Sequence, residues 1–177
     1  MIATIFDTET TGLIINPARS LDSQPEIISL AAQEVNLATG EKLISYYQEF
    51  KPIKPVSEEI TKITGFTNEH LSTRPSISMH LNEIVSFLES AKLIIGQNIT
   101  FDKGMLDLEC RRYGPNIRWP KSLDLVENSI FIKGYRLSLT KLHMELFGKG
   151  FEDAHQSDVD VDATVRCAVE MFRRGWL

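Results

Sequence analysis

Two carboxylates stand at the end of an apolar segment near the start of the chain, in the sequence MIATIFDTETTGL. Ile2 to Phe6 are apolar or β-branched, which predicts a short buried strand. Asp7 and Glu9 follow it, separated by one residue, so their side chains point to the same face of an extended chain. Neighbouring carboxylates repel, so either one is protonated or a cation lies between them. A solvated strand end is the alternative, and further acids must decide between the two.

A third acid, Asp102, lies in the segment NITFDKGMLDLEC. Phe101, Met105 and Leu108 mark the apolar side of a predicted helix there. Asp102 precedes Met105 and Leu106 by three and four residues, a position beside the apolar stripe that solvated acids usually avoid. Because it follows a predicted buried strand, we expect it to point towards the sheet. The alternative is an interaction with the helix dipole, which also favours an acid in the first turn.

The fourth acid, Asp160, stands near the start of the last predicted helix, in AHQSDVDVDATVRCAVEMF. It extends the apolar stripe of this helix backwards, whereas Asp158 and Asp162 extend it less well and are expected to be solvated. Ser157 is predicted to cap the helix, with Asp160 in capping-box position. His155 comes just before the helix and is expected to swing over whatever Asp160 holds. A plain surface histidine is the alternative.

The four acids together form a set of oxygen donors without cysteine, which suits hard ions such as Mg²⁺ or Mn²⁺. A pair of such ions about 3.5–4 Å apart is the recurrent device for phosphodiester chemistry, with one activating a water and the other stabilising the leaving oxygen. Histidine changes its charge near neutral pH, so His155 is suited to take the proton from that water. The acids and the histidine therefore indicate phosphodiester hydrolysis.

The elements that must position these residues change in type along the chain. Strands are predicted over 2–6, 26–35 and 42–50 as an antiparallel meander, and shorter ones over 92–95 and 121–125. Helices are predicted over about 57–65, 79–90, 99–113, 125–131, 138–147 and 157–174, with a short helical turn from residue 67 or 68. Because strands come first and helices alternate with strands later, we predict an α/β fold with a mixed sheet flanked by helices. The long polar loop over 14–25 receives no definite role.

The composition fits a single domain over residues 1–177, long enough for one substantial core. Hydrophobic residues make up 42% and charged residues 24%, as in ordinary globular proteins. The net charge of -5 excludes a strongly basic nucleic-acid coat, although an acidic catalytic cluster itself lowers the charge. Local basic clusters at 111–121 and 133–141 are expected to be solvated surface, unless a phosphate-binding groove uses some of them.

The two cysteines, Cys110 and Cys167, form no CxxC motif and are expected to be reduced core thiols. No signal peptide precedes the first strand, and no apolar run is long enough to span a membrane. We therefore expect a cytoplasmic protein without a membrane partner.

The segments DTETTG and NITFD, followed by His155 with Asp160 five residues later, resemble the three motifs of the DEDD exonucleases of the histidine type. That family includes the proofreading subunit epsilon of bacterial DNA polymerase III and RNase T. The stretch KPIKPVSEEITKITGFTNEHLSTRPSI is also similar to the family's second block, and the resemblance runs from Met1 to about Phe172. Gln156 stands where the other branch of the superfamily has a tyrosine, which favours the histidine branch. The resemblance implies a ribonuclease H-like fold, with three antiparallel strands plus parallel strands flanked by helices.

The resemblance also assigns roles to individual residues. It implies that four acids bind two divalent cations, Mg²⁺ or Mn²⁺, and that His155 is the general base. The four acids are Asp7, Glu9, Asp102 and Asp160. It implies a nucleotide-binding set too, in which Leu13 wedges between the last two bases and Phe101 stacks on a base or packs beneath it. Simple core packing is the alternative for Phe101. This set consists of Thr8, Thr10, Gly12, Leu13, Thr64, Asn98 and Phe101.

These observations predict a metal-dependent 3′–5′ exonuclease that releases nucleoside 5′-monophosphates from the 3′ end of single-stranded DNA; the polarity follows from the family alone. One alternative keeps the chemistry and changes the substrate to RNA, which requires contacts to the 2′-hydroxyl. Another is an exonuclease-like binding module that accompanies a polymerase, and the presence of all four acids and the histidine disfavours it. A homodimer, a polymerase partner, and a role in proofreading, repair or RNA maturation stay open.

Overall fold

The computed structural model describes residues 1–16, 19–152 and 155–177. The strands are β1 (Ile2–Thr10), β2 (Ile27–Asn36), β3 (Glu41–Glu49), β4 (Ile94–Gly96) and β5 (Ser122–Asp124). The helices are α1 (Glu58–Thr64), α2 (Asn68–Ser72), α3 (Leu81–Glu89), α4 (Ile99–Tyr113), α5 (Leu125–Lys133), α6 (Leu139–Phe147) and α7 (Ser157–Arg173). Short 3₁₀ turns at Leu21–Ser23 and Ile77–Met79 complete the described elements.

The five strands form one mixed sheet in the order β3-β2-β1-β4-β5. β1 pairs antiparallel with β2, and β2 pairs antiparallel with β3. β4 pairs parallel with β1, and β5 pairs parallel with β4. The predicted α/β fold, with an antiparallel meander extended by parallel strands and flanked by helices, is confirmed. β1 lies at the centre of the sheet, so residues at its carboxyl end are reached by helices from both faces.

The two faces of β1 are buried against different helices. Ala3 and Ile5 belong to a core shared with α6 and α7, whereas Phe6 belongs to a core shared with α3 and α4. Side chains alternate along a strand, so Asp7 and Glu9 continue the α7 face. Successive polar side chains at the end of β1 therefore point towards different helices.

β1 is longer than the sequence indicated. The apolar segment ends at Phe6, but pairing with β2 continues through Asp7 and Glu9 to Thr10. The β-branched Thr8 and Thr10 suit a strand even though they are polar, and this extends the element. The register against β2 shifts between Glu9 and Thr10, an irregularity of the kind that occurs beside active sites. The acids are therefore held within the sheet, not in the turn after it.

The predicted cap of α1 is confirmed, and that of α7 is wrong. Ser57 accepts a hydrogen bond from the Ile60 N–H at 3.2 Å at the start of α1. The residue that precedes α7 is Gln156, whose side chain makes no capping bond. Ser157 is instead the first helical residue, and its buried hydroxyl lies 2.9 Å from that of Ser29 on β2. Two buried hydroxyls satisfy each other there, which competes with capping.

The remaining expectations concern the cysteines, membrane segments and the loop over 14–25. Cys110 and Cys167 are free and buried, and burial raises the pKa of their thiols to about 11 and 12.

None of the described helices is both long and apolar enough to cross a membrane. Residues 17 and 18 of the loop lie outside the described residues. Gln24 ties the first part of the loop to the last, because its side chain bonds to the backbone of Ile15.

Candidate active site

Three of the predicted acids converge at the end of β1. Each of Asp7, Glu9 and Asp160 offers a carboxylate oxygen, and these three oxygens lie within 4.8 Å of one another. Asp7 and Glu9 reach the cluster because they share the α7 face of the strand. Asp160 reaches it from the first turn of α7. The apolar stripe of α7 seats that turn against the sheet, as the position of Asp160 on the stripe predicted.

Asp102 approaches from the opposite face of the sheet. It lies in the first turn of α4 and is buried, as expected. Its Oδ1 accepts two hydrogen bonds from Thr8, one from the N–H at 2.9 Å and one from the hydroxyl at 2.7 Å. Thr8 therefore holds the Asp102 carboxylate in place, a contact that nothing in the local sequence indicates. Asp102 is not part of the three-acid cluster, but its charge acts on Asp7.

Burial and the neighbouring carboxylates destabilise the charged forms of Asp7 and Glu9. Burial, and then the charges of Asp102, Asp160 and Glu9, raise the pKa of Asp7 well above its usual value. Burial, with Asp160 and Asp102, raises the pKa of Glu9 to about 8.

Burial raises the pKa of Asp102 and of Asp160 as well, against the hydrogen bonds from Thr8 and from His155 respectively. No Lys or Arg among the described residues forms a salt bridge with any of the four acids. A bound cation would supply the missing positive charge.

The donor atoms fit a hard divalent cation. Asp160 Oδ2 accepts a hydrogen bond from the His155 N–H at 3.0 Å, whereas Oδ1 is buried and has no hydrogen-bond partner among the described residues. Buried polar atoms in native proteins are almost always satisfied, so such an atom calls for an unseen partner. The cluster offers only carboxylate oxygens, the ligands that Mg²⁺ and Mn²⁺ prefer.

Two strained residues border the acids. In the described part of the chain, Asn98 and His155 are the two non-glycine residues with positive φ, at 61° and 71°. The Asn98 N–H donates to Asp124 Oδ1 at 3.0 Å, and the His155 N–H is held by Asp160. Left-handed conformations of non-glycine residues cost about 1–3 kcal/mol and cluster at functional sites. The sequence does not reveal either conformation, although Asn and His tolerate it better than most residues.

A cleft of about 690 Å³ opens over the acids and contains every residue predicted for the site. Its lining includes the four acids, His155 and the whole predicted nucleotide-binding set: Thr8, Thr10, Gly12, Leu13, Thr64, Asn98 and Phe101. Leu13 is 78% exposed at the mouth of the cleft, as a wedge between bases requires. A Cβ placed on Gly12 would meet no atom within 4 Å, so the space beside it is open to a ligand.

Three further members of that set, besides Thr8 and Asn98, are engaged within the protein. The hydroxyl of Thr10 donates to the Gly12 carbonyl at 2.8 Å and shapes the turn. The hydroxyl of Thr64 donates to the Ile60 carbonyl at 2.9 Å. Phe101 packs partly buried against the core shared with α3 and α4. Their contacts to a nucleotide stay predictions.

The sequence did not point to two further parts of the cleft. One wall comes from α1, where Ile60 and Ile63 face the opening and Ile63 is 48% exposed. Gln97 forms part of another wall, with its Nε2 donating to the Leu137 carbonyl at 2.9 Å. The spacing of Ile60 and Ile63, three residues apart on one helix face, was the sequence signal that could have indicated this wall. Nothing in the sequence distinguishes Gln97 from a solvated glutamine.

Comparisons with known proteins agree with this geometry. The RNase T family model, described as exonuclease, matches residues 4–168. The chain is 29% identical over 166 residues to the DNA polymerase III PolC-type protein of Streptococcus suis, and 29% over 168 residues to that of Halalkalibacterium halodurans. These matches cover 92% and 90% of this chain but 10% of each relative, so the chain spans a small part of those proteins.

Solved structures share the fold. The nuclease domain of 3′hExo, a DEDDh family member bound to rAMP, gives a TM-score of 0.78 at 17% identity and covers 98% of this chain and 92% of that one. A complex of E. coli ExoI with single-stranded DNA gives a TM-score of 0.79 at 19% identity, covering 98% of this chain and 41% of that one.

Fold and cleft together define a nuclease of the ribonuclease H-like class. The chain belongs to the RNase T exonuclease family. The family depends on divalent metal ions, in agreement with the acid cluster.

Proposed function

We propose that residues 1–177 form one exonuclease domain that removes nucleoside 5′-monophosphates from the 3′ end of single-stranded DNA. The observation that carries the proposal is the cluster of Asp7, Glu9 and Asp160, which lines an open cleft and has no Lys or Arg salt-bridge partner in the described part of the chain. DNA is preferred to RNA as the substrate because the similar PolC-type proteins are DNA polymerases by name. Proofreading beside a polymerase is the role that this similarity favours.

The acids are proposed to hold two divalent ions, Mg²⁺ or Mn²⁺. Asp7, Glu9 and Asp160 would bind directly, and Asp102 would complete the set through Oδ2, since both hydrogen bonds from Thr8 go to Oδ1. Bound ions supply Lewis-acid activation of a water and neutralise charge on the phosphate. A raised pKa in all four acids supports this assignment, since a cation favours the ionised form.

The protein's own groups position the reactants. Leu13 and the open space beside Gly12 would receive the terminal nucleotide in the cleft. The imidazole of His155 would accept the proton of the attacking water. The His155 N–H donates to Asp160, which fixes the strained backbone of His155. The imidazole is therefore held beside the acids.

Matched oligonucleotides test the substrate and the polarity. We expect single-stranded DNA labelled at the 5′ end to shorten stepwise with Mg²⁺ or Mn²⁺, while a covalently closed circle of the same sequence survives. Excess EDTA should abolish the reaction. Faster digestion of the matched RNA would replace DNA by RNA as the substrate, and rapid cutting of the circle would contradict a requirement for a 3′ end.

The role of His155 has its own test. General-base catalysis contributes about 10²–10⁴-fold, so His155→Ala should lower kcat by that order. Metal affinity, measured by calorimetry, should stay close to that of the wild type. The control is His80→Ala, which removes a histidine that lies outside the cleft. A wild-type rate in His155→Ala, or the loss of metal binding, would show that the histidine is not the base.

A further inference from the structure

A second hollow adjoins the acids on the side of the segment between α5 and α6. It measures about 460 Å³ and shares five residues with the cleft: Asp7, Gln97, Asn98, His155 and Asp160. Its remaining walls come from Val126 and from residues 136–139. The terminal-nucleotide residues Thr10, Gly12 and Leu13 do not line it. The acids therefore lie between two depressions, of which the proposed function uses one.

Arg136 supplies positive charge to this hollow. Its Nη2 lies 2.6 Å from Glu127 Oε1, and the two side chains are 65% and 51% exposed. Exposed ion pairs contribute little stability, so the pair can open or be shared at little cost. A guanidinium presents several N–H donors in a plane and matches the geometry of a phosphate. Arg136 belongs to the basic cluster at 133–141 that the sequence displayed without a definite role.

Two aromatic side chains stand exposed close to Arg136 in the sequence. Phe131 near the end of α5 is 89% exposed, and Tyr135 in the following turn is 58% exposed. Aromatic rings at the surface beside positive charge are the elements from which proteins build sequence-tolerant platforms for single-stranded nucleic acids. Lys133, between these two residues in the sequence, has its Nζ 2.9 Å from Glu145 Oε1 and is less available.

We infer that the hollow, together with the exposed rings of Phe131 and Tyr135 in the segment that leads to Arg136, binds the substrate strand on the 5′ side of the scissile bond. Arg136 binds a phosphate of that strand, and Tyr135 and Phe131 stack on its bases. The inference rests on the proposed function, because the terminal nucleotide fills the cleft and the scissile phosphate lies at the acids. The rest of the strand must then leave past the acids, and the hollow begins there.

Two substrates separate this inference from the proposed function. The p-nitrophenyl ester of thymidine 5′-monophosphate contains only the terminal nucleotide and the scissile phosphate, whereas oligothymidylate also has an upstream strand. Arg136→Ala should raise KM for oligothymidylate about fivefold or more and leave hydrolysis of the ester at the wild-type rate. A plot of log KM for oligothymidylate against log salt concentration should have a slope about 0.7 smaller in Arg136→Ala than in the wild type, because one phosphate contact is lost. Tyr135→Ala should raise KM for oligothymidylate by about fivefold, the lower end of the range for a lost base stack.

The controls are Arg111→Ala and Tyr113→Ala, which remove the same side-chain types from residues that do not line the hollow. Both should keep the wild-type KM for oligothymidylate. The inference is overturned if Arg136→Ala and Tyr135→Ala match these controls, or if they slow the ester as much as the oligonucleotide. A wild-type protein that hydrolyses neither substrate would overturn the proposed function itself. Thermal melting of every variant confirms that each is folded.

Discussion

The two ends of α4 hold buried acids in opposite circumstances. Glu109, in the third turn, is 1% exposed, but Arg112 Nη1 lies 2.9 Å away and the Ile27 N–H donates to it at 3.0 Å. Burial raises the pKa of Glu109, and these two partners oppose the rise. Asp102, in the first turn, accepts hydrogen bonds from Thr8, and its charge raises the pKa of Asp7 and of Glu9.

The difference separates a structural acid from a functional one. Glu109 has a cation supplied by its own helix, and the same Arg112 donates to the carbonyls of Leu21, Gln24 and Pro25. That group therefore fastens the loop to α4 without any external ligand. The site acids have no Lys or Arg partner within residues 1–16, 19–152 and 155–177, so the metal-free fold carries their repulsion. Active sites that hold mutually repelling groups commonly lower the stability of the folded protein.

The largest contrast should appear in activity. Asp7→Asn should lower kcat about a thousandfold or more, because metal ions supply several kcal/mol of transition-state stabilisation and this acid is central to their proposed site. Glu109→Gln should keep kcat per folded molecule near the wild-type value. Release of labelled monophosphate with Mn²⁺ measures both. Equal losses in the two variants would erase the distinction between the acids.

The opposite order is expected for stability. Glu109→Ala should lower the free energy of unfolding by about 3–5 kcal/mol, because it leaves the buried Arg112 without its carboxylate. Asp7→Asn, without metal, should unfold at the same or a higher urea concentration than the wild type, since it removes a repelled charge. Glu145→Ala is the control: its exposed pair with Lys133 should be worth less than about 1 kcal/mol. A stable Glu109→Ala protein would show that its ion pair is dispensable.

The smallest effect is a pH dependence of the metal-free protein. Unfolded Glu9 loses its proton near its usual pKa of 4.5, while the folded protein retains it up to about 8. The folded state binds more protons in this window, so its stability should fall as the pH rises through it. Melting temperatures in EDTA should decrease across the window, and saturating Mg²⁺ should reduce the decrease. Glu9→Gln should melt with a shallower dependence, and an unchanged slope would contradict the shift.

Local patterns anticipated most of the fold and the members of the site. Strand alternation placed Asp7 and Glu9 on one face, and the helical stripe placed Asp102 and Asp160 against the sheet. The family resemblance added the nucleotide set that lines the cleft.

Long-range contacts explain what the patterns missed. Arg112, expected at the surface, is buried by carbonyls of a loop about ninety residues earlier in the chain. Ser157 bonds to Ser29 instead of capping its helix, because β2 lies beside it. Neither partner is visible from the local sequence, and the left-handed backbone of Asn98 is likewise set by its bond to Asp124.

The site is assembled from both helical layers of the sheet, and this couples catalysis to folding order. Asp102 arrives with α4 on one face, and Asp160 arrives with α7 on the other. A chain in which either layer has not yet docked lacks part of the proposed donor set. On the proposed mechanism, nuclease activity therefore begins only when the last helix closes the second face. An exonuclease domain in which one layer is still undocked would thus hydrolyse no nucleic acid, and bound ions would act as a clamp that resists separation of the layers.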